Sequence, residues 1–505
     1  MRQKLNCQNR FYGMESKNNF NLNKQEMNVI QKFPRTFWIA NTIELFERWA
    51  WYGFFMLFAN YLTSSSDLGG LEFSQTQKGT LMGVGTGILY FLPVVTGAIA
   101  DRYGYKKVLI LAFFIYASAF LLLPQFTSFV GVFLMYLYLA LGAALFKPII
   151  SATVAKTTTE ETSSIGFGIF YMMVNIGAFF GPMVTLLFGS DSHLIFYVSA
   201  AIISVNFVLL FFFKEPKRIE NPEDKDKSIG QVLGVIFKNM ATIFKDVKFI
   251  AFLLIVAGFW TMYNQLFFTL PVFVLQWVDT SSLYDFFQIN LPFISDHYSN
   301  GAGQIDPEFI TNFDALYIII FQIVVSSIVM KMKPLQSMAV GFLVCTIGMS
   351  LTLVSQNVLF VLIAILIFAI GEMAGSPKIT EYIGRIAPAD KKALYMGYSF
   401  IPVFIGNVLA GILSGSVYQS LSDKVEITRR FVMEKGLHVD DSLSTKAYFE
   451  NVAHQLNLTP QELTNKLWDT YHPSSMWMVL FAIGLLATVM LFIYDRAINK
   501  SATSK

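Results

Sequence analysis

Three charged residues, Glu44, Glu47 and Arg48, stand inside an apolar run from Phe37 to Leu62 that is long enough to cross a bilayer. Each charge costs roughly 2.5–3.5 kcal/mol at the centre of a spanning helix. Spacings of three and four residues put all three on one helical face, which must turn from lipid toward partners or water. Starting the helix in the headgroup layer would avoid that cost only by leaving Phe37, Trp38, Ile39, Ala40 and Ile43 in water. The composition extends the membrane reading to the whole chain. Hydrophobic residues make up 54% and charged residues 14%, where soluble domains carry about a quarter charged, and the mean hydropathy is +0.52. A net charge of +3 says little about nucleic acid by itself, and without a basic stripe no nucleic-acid partner is expected. Two cysteines, Cys7 and Cys345, exclude a disulfide framework and a cysteine-rich metal site. No nucleotide-binding glycine loop, metal-ligand cluster or nucleophile elbow is present, so neither an enzyme nor a cofactor is expected.

Hydropathy places spans near 37–62, 77–100, 106–124, 128–156, 164–188 and 194–213, then near 249–277, 313–332, 336–354, 358–386, 392–418 and 474–494. The chain therefore reads as an all-α membrane protein of twelve spans. It has a polar tail (1–36), a first six-helix bundle (37–213), a charged linker (214–248), a second six-helix bundle (249–494) and a tail (495–505). Residues 229–244 of the linker are amphipathic, as in a helix lying on a membrane surface. The first 35 residues lack the apolar core of a signal peptide. Arg102, Lys106, Lys107, Lys331, Lys333, Lys391 and Lys392 fall on the side of the Lys-rich tail, so both termini are expected in the cytoplasm. Two insertions, 278–312 and 419–473, then face outward. The first has five acidic residues and no Lys or Arg, and the second contains a capped helix start at Thr459.

Six plus six spans with a charged middle loop is the layout of the major facilitator superfamily, and the segment Gly97 to Lys107 resembles its signature loop. There Asp101 and Arg102 are candidates for a cytoplasmic gate. Further motifs resemble the proton-dependent oligopeptide transporters. Glu44-x-x-Glu47-Arg48 precedes Trp49-Ala50-Trp51-Tyr52-Gly53, Lys147-Pro148 lies in the fourth span, and Phe170-Tyr171 with Asn175 and Gly177 lies in the fifth. Phe259-Trp260 with Gln265 follows in the seventh, Gly371-Glu372 with Ser376-Pro377 in the tenth, then Ala387-Pro388 and Met396-Gly397. The resemblance implies a multi-pass carrier of a bacterial inner (plasma) membrane, importing peptides or peptide-like solutes with protons. It implies proton-coupling roles for Glu44, Glu47, Arg48, Lys147 and Glu372. Substrate would be bound by Tyr52, Tyr90, Lys147, Tyr171, Asn175, Trp260, Gln265, Glu372, Ser376 and Lys378. The chain also departs from the pattern. Phe55 stands where a second arginine is usual and Asn264 where its acidic partner is usual, while Lys378 and Glu381 replace apolar residues. Trp51 stands for a common tyrosine and Ser399 for a common tryptophan.

The charges suggest coupling without the family. Glu44, Glu47, Arg48, Lys147 and Glu372 leave one net negative charge, which a low-dielectric cavity removes by binding a proton. Pro148 and Pro377 occupy corresponding helices of the two halves and permit the local bending that rocking helices need. Lys378 adds a cation that suits a substrate with a second acidic group, or simply pairs with Glu381. The leading expectation is a proton-coupled symporter. The alternatives are a carrier of another small anionic metabolite, or a non-transporting sensor or scaffold, although a scaffold gains nothing from charges that are costly in lipid.

Overall fold

A computed structural model describes residues 31–503 except 160–161, 188–192, 217–229, 232–233, 235–237, 239–245, 301, 388–394 and 396. Most of the expected tail and linker, with Pro388 and Met396, lie outside the described residues.

Ten helices among the described residues are long and apolar enough to cross a membrane, and a bent pair makes eleven. The twelfth is α1, Arg35–Thr63, which falls short on hydropathy because it carries the charged cluster. Helix α2 runs as Gln75–Phe91 and Pro93–Tyr103, bent by 42° at its proline. Then come α3 (Tyr105–Leu122), α4 (Phe129–Lys156), α5 (Ser163–Leu186) and α6 (Leu194–Phe212). The second half repeats the count. Helix α7 is broken into Val247–Tyr263, Gln265–Phe268 and Leu270–Trp277, where Pro271 cannot continue the ladder. Next are α8 (Phe313–Val329), α9 (Pro334–Thr352), α10 (Val358–Ile386), α11 (Phe400–Ile412, running on through a π turn at Leu413–Val417) and α12 (Met476–Thr503). This is a twelve-span fold of two six-helix bundles. Phe211, Ile323 and Leu486 are among many large side chains exposed on the outside of the helices, as a lipid-facing surface requires.

The eighth span starts earlier than hydropathy places it. A short helix, Pro307–Thr311, leads into α8, so the span covers Pro307–Val329 rather than beginning at 313. The first insertion also contains helices Ser281–Asn290 and Pro292–His297. The second holds three, Lys424–Lys435, Thr445–Gln455 and Pro460–Tyr471. The last starts on the expected cap: Thr459 Oγ1 accepts from Glu462 N at 3.2 Å, and Glu462 Oε2 accepts from Thr459 N at 2.8 Å.

The two halves are tied together at the end that bears these insertions. Lys78 of α2 is fully buried and donates to Phe268 O at the break in α7, 2.7 Å away. Gln75 reaches Asp423 at 3.0 Å, and Thr76 Oγ1 reaches Gln419 at 2.7 Å. Glycines allow the approach: a Cβ on Gly79 would lie 2.1 Å from Gly411 O.

Candidate transport site

The cluster on α1 is buried and internally paired. Arg48 grips Glu47 with two donors, Nε to Oε2 at 2.5 Å and Nη2 to Oε1 at 2.6 Å, and its Nε also lies 3.4 Å from Glu44 Oε1. Glu47 is 0% exposed and also accepts from Tyr116 of α3 at 2.5 Å. One guanidinium thus serves two carboxylates, with a tyrosine hydroxyl as the further donor. What presses α5 onto this face is Gly177, part of the motif in the fifth span. A Cβ there would stand 2.7 Å from Arg48 Cβ and 2.9 Å from Leu45 O, so only a glycine lets the helices close.

Beside the cluster lies a cavity of about 290 Å³ between the halves, lined by Tyr52 and Tyr90 from the first and by Trp260, Asn264, Ser376 and Asn407 from the second, among others. The Arg48 guanidinium sits 5.9 Å from the centre of the Tyr52 ring. Half-buried Lys147 holds its ammonium 4.0 Å over the Tyr90 ring, so it faces the cavity wall while Arg48 is the cation in contact with Glu44. A second, narrow cavity of about 50 Å³ is lined by Tyr52 and Asn175 with Tyr263, Asp314 and Glu372, among others. Glu372 accepts from Tyr263 at 2.8 Å. Tyr171 is 38% exposed one helical turn before Asn175, whose side-chain amide donates back to Tyr171 O at 2.8 Å.

The structure brings together Glu44, Glu47 and Arg48, gathers Tyr52, Tyr90, Asn175, Trp260, Glu372 and Ser376 around the two cavities, and sets Lys147 against Tyr90. Gln265 belongs elsewhere. It is 0% exposed, donates to Thr261 O at 2.9 Å and Ala410 O at 3.4 Å, accepts from Thr269, and so ties α7 to α11 instead of lining a cavity. Lys378 is paired within its own helix, 2.7 Å from Glu381, which also holds Arg385. Asp101 is exposed and accepts from Tyr105 at 3.0 Å, a contact that stays inside the first half. The loop turns at Gly104, φ +103°. Phe55, which stands where a second arginine is usual, packs against Phe267 and Phe268 of α7, ring centres 5.5 and 6.2 Å apart.

Three residues were not expected. Tyr116, Asp314 and Lys78 each meet a partner from another helix, which no spacing along one helix reveals. Lys78 and Asp314 carry the weak signal of a charge at the edge of an apolar run.

Helices wrapped around a polar, aromatic cavity between two six-span halves define a secondary membrane transporter. The Major Facilitator Superfamily profile matches residues 40–295, and the chain belongs to that superfamily. Within it, the chain resembles the peptide-transporter branch at a distance. It is 28% identical over 244 residues to dipeptide and tripeptide permease A of Erwinia pyrifoliae, covering 46% of each. It is 26% identical over 223 residues to the uncharacterised transporter YclF of Bacillus subtilis, covering 42% of this chain and 45% of YclF. The chain thus spans under half the length of each of these two relatives. Among solved structures, a POT family transporter in complex with 5-aminolevulinic acid superposes with a TM-score of 0.66 at 18% identity, covering 93% of this chain and 99% of that one. The nucleoside transporter NupG superposes with a TM-score of 0.65 at 13% identity, covering 91% and 100%. Likeness at these identities speaks for the fold alone.

Proposed function

We propose that this chain is a proton-coupled symporter importing small peptides or peptide-like solutes by alternating access, in a bacterial plasma membrane with both termini in the cytoplasm. The observation that carries the reading is the buried cluster of Glu44, Glu47, Arg48 and Tyr116 beside the cavity. Two carboxylates on one guanidinium hold an excess negative charge that a proton removes. A substrate carboxylate entering the cavity competes for Arg48 and meets Lys147, so protonation of the carboxylates frees the cation that the substrate takes. The aromatic walls suit a solute with apolar side groups. With the insertion end facing outward, the ties through Lys78, Gln75 and Thr76 close the outer side, and the cycle breaks them. Likeness to the dipeptide and tripeptide permease supports a peptide substrate.

The test is uptake into proteoliposomes under an imposed inward proton gradient, starting with alanine-rich dipeptides and tripeptides. Gradient-driven accumulation is expected in the parent and lost in Glu47→Gln and Glu44→Gln, while exchange of substrate across the membrane without a gradient survives. A variant that still concentrates substrate as the parent does removes that carboxylate from coupling. Parent uptake that ignores the gradient sinks the proposal.

A further inference from the structure

Two acidic side chains from different helices meet deep in the second half. Asp314 of α8 and Glu372 of α10 are 7% and 8% exposed. One turn along the same faces, Ile318 packs on Ala369 and Met373, which sets α8 against α10 with Asp314 opposite Glu372. Both residues line the same narrow cavity. Tyr263 satisfies Glu372 Oε1, whereas Asp314 Oδ1 and Glu372 Oε2 are both buried and meet no donor among the described residues. The ionisable groups facing the pair are Tyr263 of α7, Tyr52 of α1, Tyr171 of α5 and Cys345 of α9. No lysine or arginine among the described residues forms an ion pair with either carboxyl.

Two ionised carboxylates on one narrow cavity would repel each other and leave two buried charges with one donor between them. A single proton placed between them turns the repulsion into a hydrogen bond and gives an orphaned oxygen its donor. We infer that Asp314 and Glu372 share one proton and form a second proton site of the carrier, across the cavity from the cluster on α1. The inference rests on reading the chain as a proton-coupled carrier. It alters the charge balance: with Asp314 included, the buried set carries two excess negative charges, and two protons neutralise it, one on each half. Asp314 is then a coupling residue, and Glu372 acts as one member of a pair.

The test needs neither substrate nor a gradient, so a protein that fails to carry peptides overturns the proposed function without touching this site. Infrared spectra of the purified protein at neutral pH are compared between the parent, Asp314→Asn, Glu372→Gln and the double variant. The double variant is expected to lose one protonated-carboxyl band relative to the parent, and neither single variant to lose more than that one. One band for two carboxyl groups is the signature of a shared proton. Loss of no such band in the double variant, or loss of two, overturns the inference. In reconstituted vesicles, the charge moved per substrate should fall by one in Asp314→Asn, and an unchanged ratio also counts against the site.

Discussion

Gly177 decides whether Arg48 can sit where the cluster needs it. With α5 already within van der Waals reach of α1, a methyl at this position must push the helices apart, and overpacking of this kind costs about 1–3 kcal/mol. Gly177→Ala is expected to lower the thermal unfolding temperature in detergent and to abolish gradient-driven uptake. Gly168→Ala, in the same helix where nothing lies within 4 Å of the added Cβ, should leave both unchanged. Equal stability of the two variants would mean that α5 yields without cost. At this scale the sequence was legible where a residue type is costly out of place. Charges inside apolar runs announce themselves, and Glu44, Glu47, Arg48 and Glu372 are all buried. Tyr116 sent no such signal, because 16% of the chain is aromatic and only the packing of α3 on α1 gives its hydroxyl a carboxylate to meet.

Helix α7 is the element whose form could not be read from apolarity. Its run of hydrophobic residues predicts one rod, whereas the breaks after Tyr263 and Phe268 rotate its faces and present Phe268 O to Lys78. Gln265 follows from the same breaks: its amide turns to α11, a direction that depends on the local rotation of the helix and not on its sequence. The short helix ahead of α8 went unread for a related reason. Pro307–Thr311 is held partly by Glu308, which accepts from Asn60 of α1 at 2.7 Å, and a contact 248 residues distant leaves no trace in a hydropathy window. Lys78→Met is expected to leave the Phe268 carbonyl without its partner, at about 1–3 kcal/mol, and to loosen the two halves at the insertion end. Distances between spin labels placed on the two halves at that end should broaden and lengthen. An unchanged distance distribution would show that the glycine contacts of α2 and α11 hold this end without the lysine.

Across the whole molecule, the second insertion is clasped to the first half. Glu72, in the loop after α1, accepts from Ser66 N at 2.9 Å, Ser65 Oγ at 3.1 Å and Thr445 N at 3.0 Å, and Ser444 bonds Asp67. Partial burial pushes the Glu72 carboxyl up, but the donors from Ser66, Thr445 and Ser65 outweigh it and hold the group below its ordinary 4.5. A carboxylate depressed on folding stabilises the clasp above its unfolded value and stops doing so as pH falls through the lower folded one. The clasp is therefore intact at neutral pH and fails only below about 4.5. Amide exchange in Thr445–Gln455, corrected for intrinsic pH effects, should rise in that acid range and already be raised at neutral pH in Glu72→Gln. Exchange that is flat through the acid range in the parent would show that Glu72 does not hold the insertion. The clasp also sets an order of manufacture. Its two sides are 373 residues apart in the chain, and at about 5–20 residues per second a ribosome needs on the order of 20–75 s to deliver the second after the first. Throughout that interval the newborn first half waits with the Glu72 loop unmatched, so truncation after the eleventh span should yield a membrane-inserted bundle that quality-control proteases can grip at this loop.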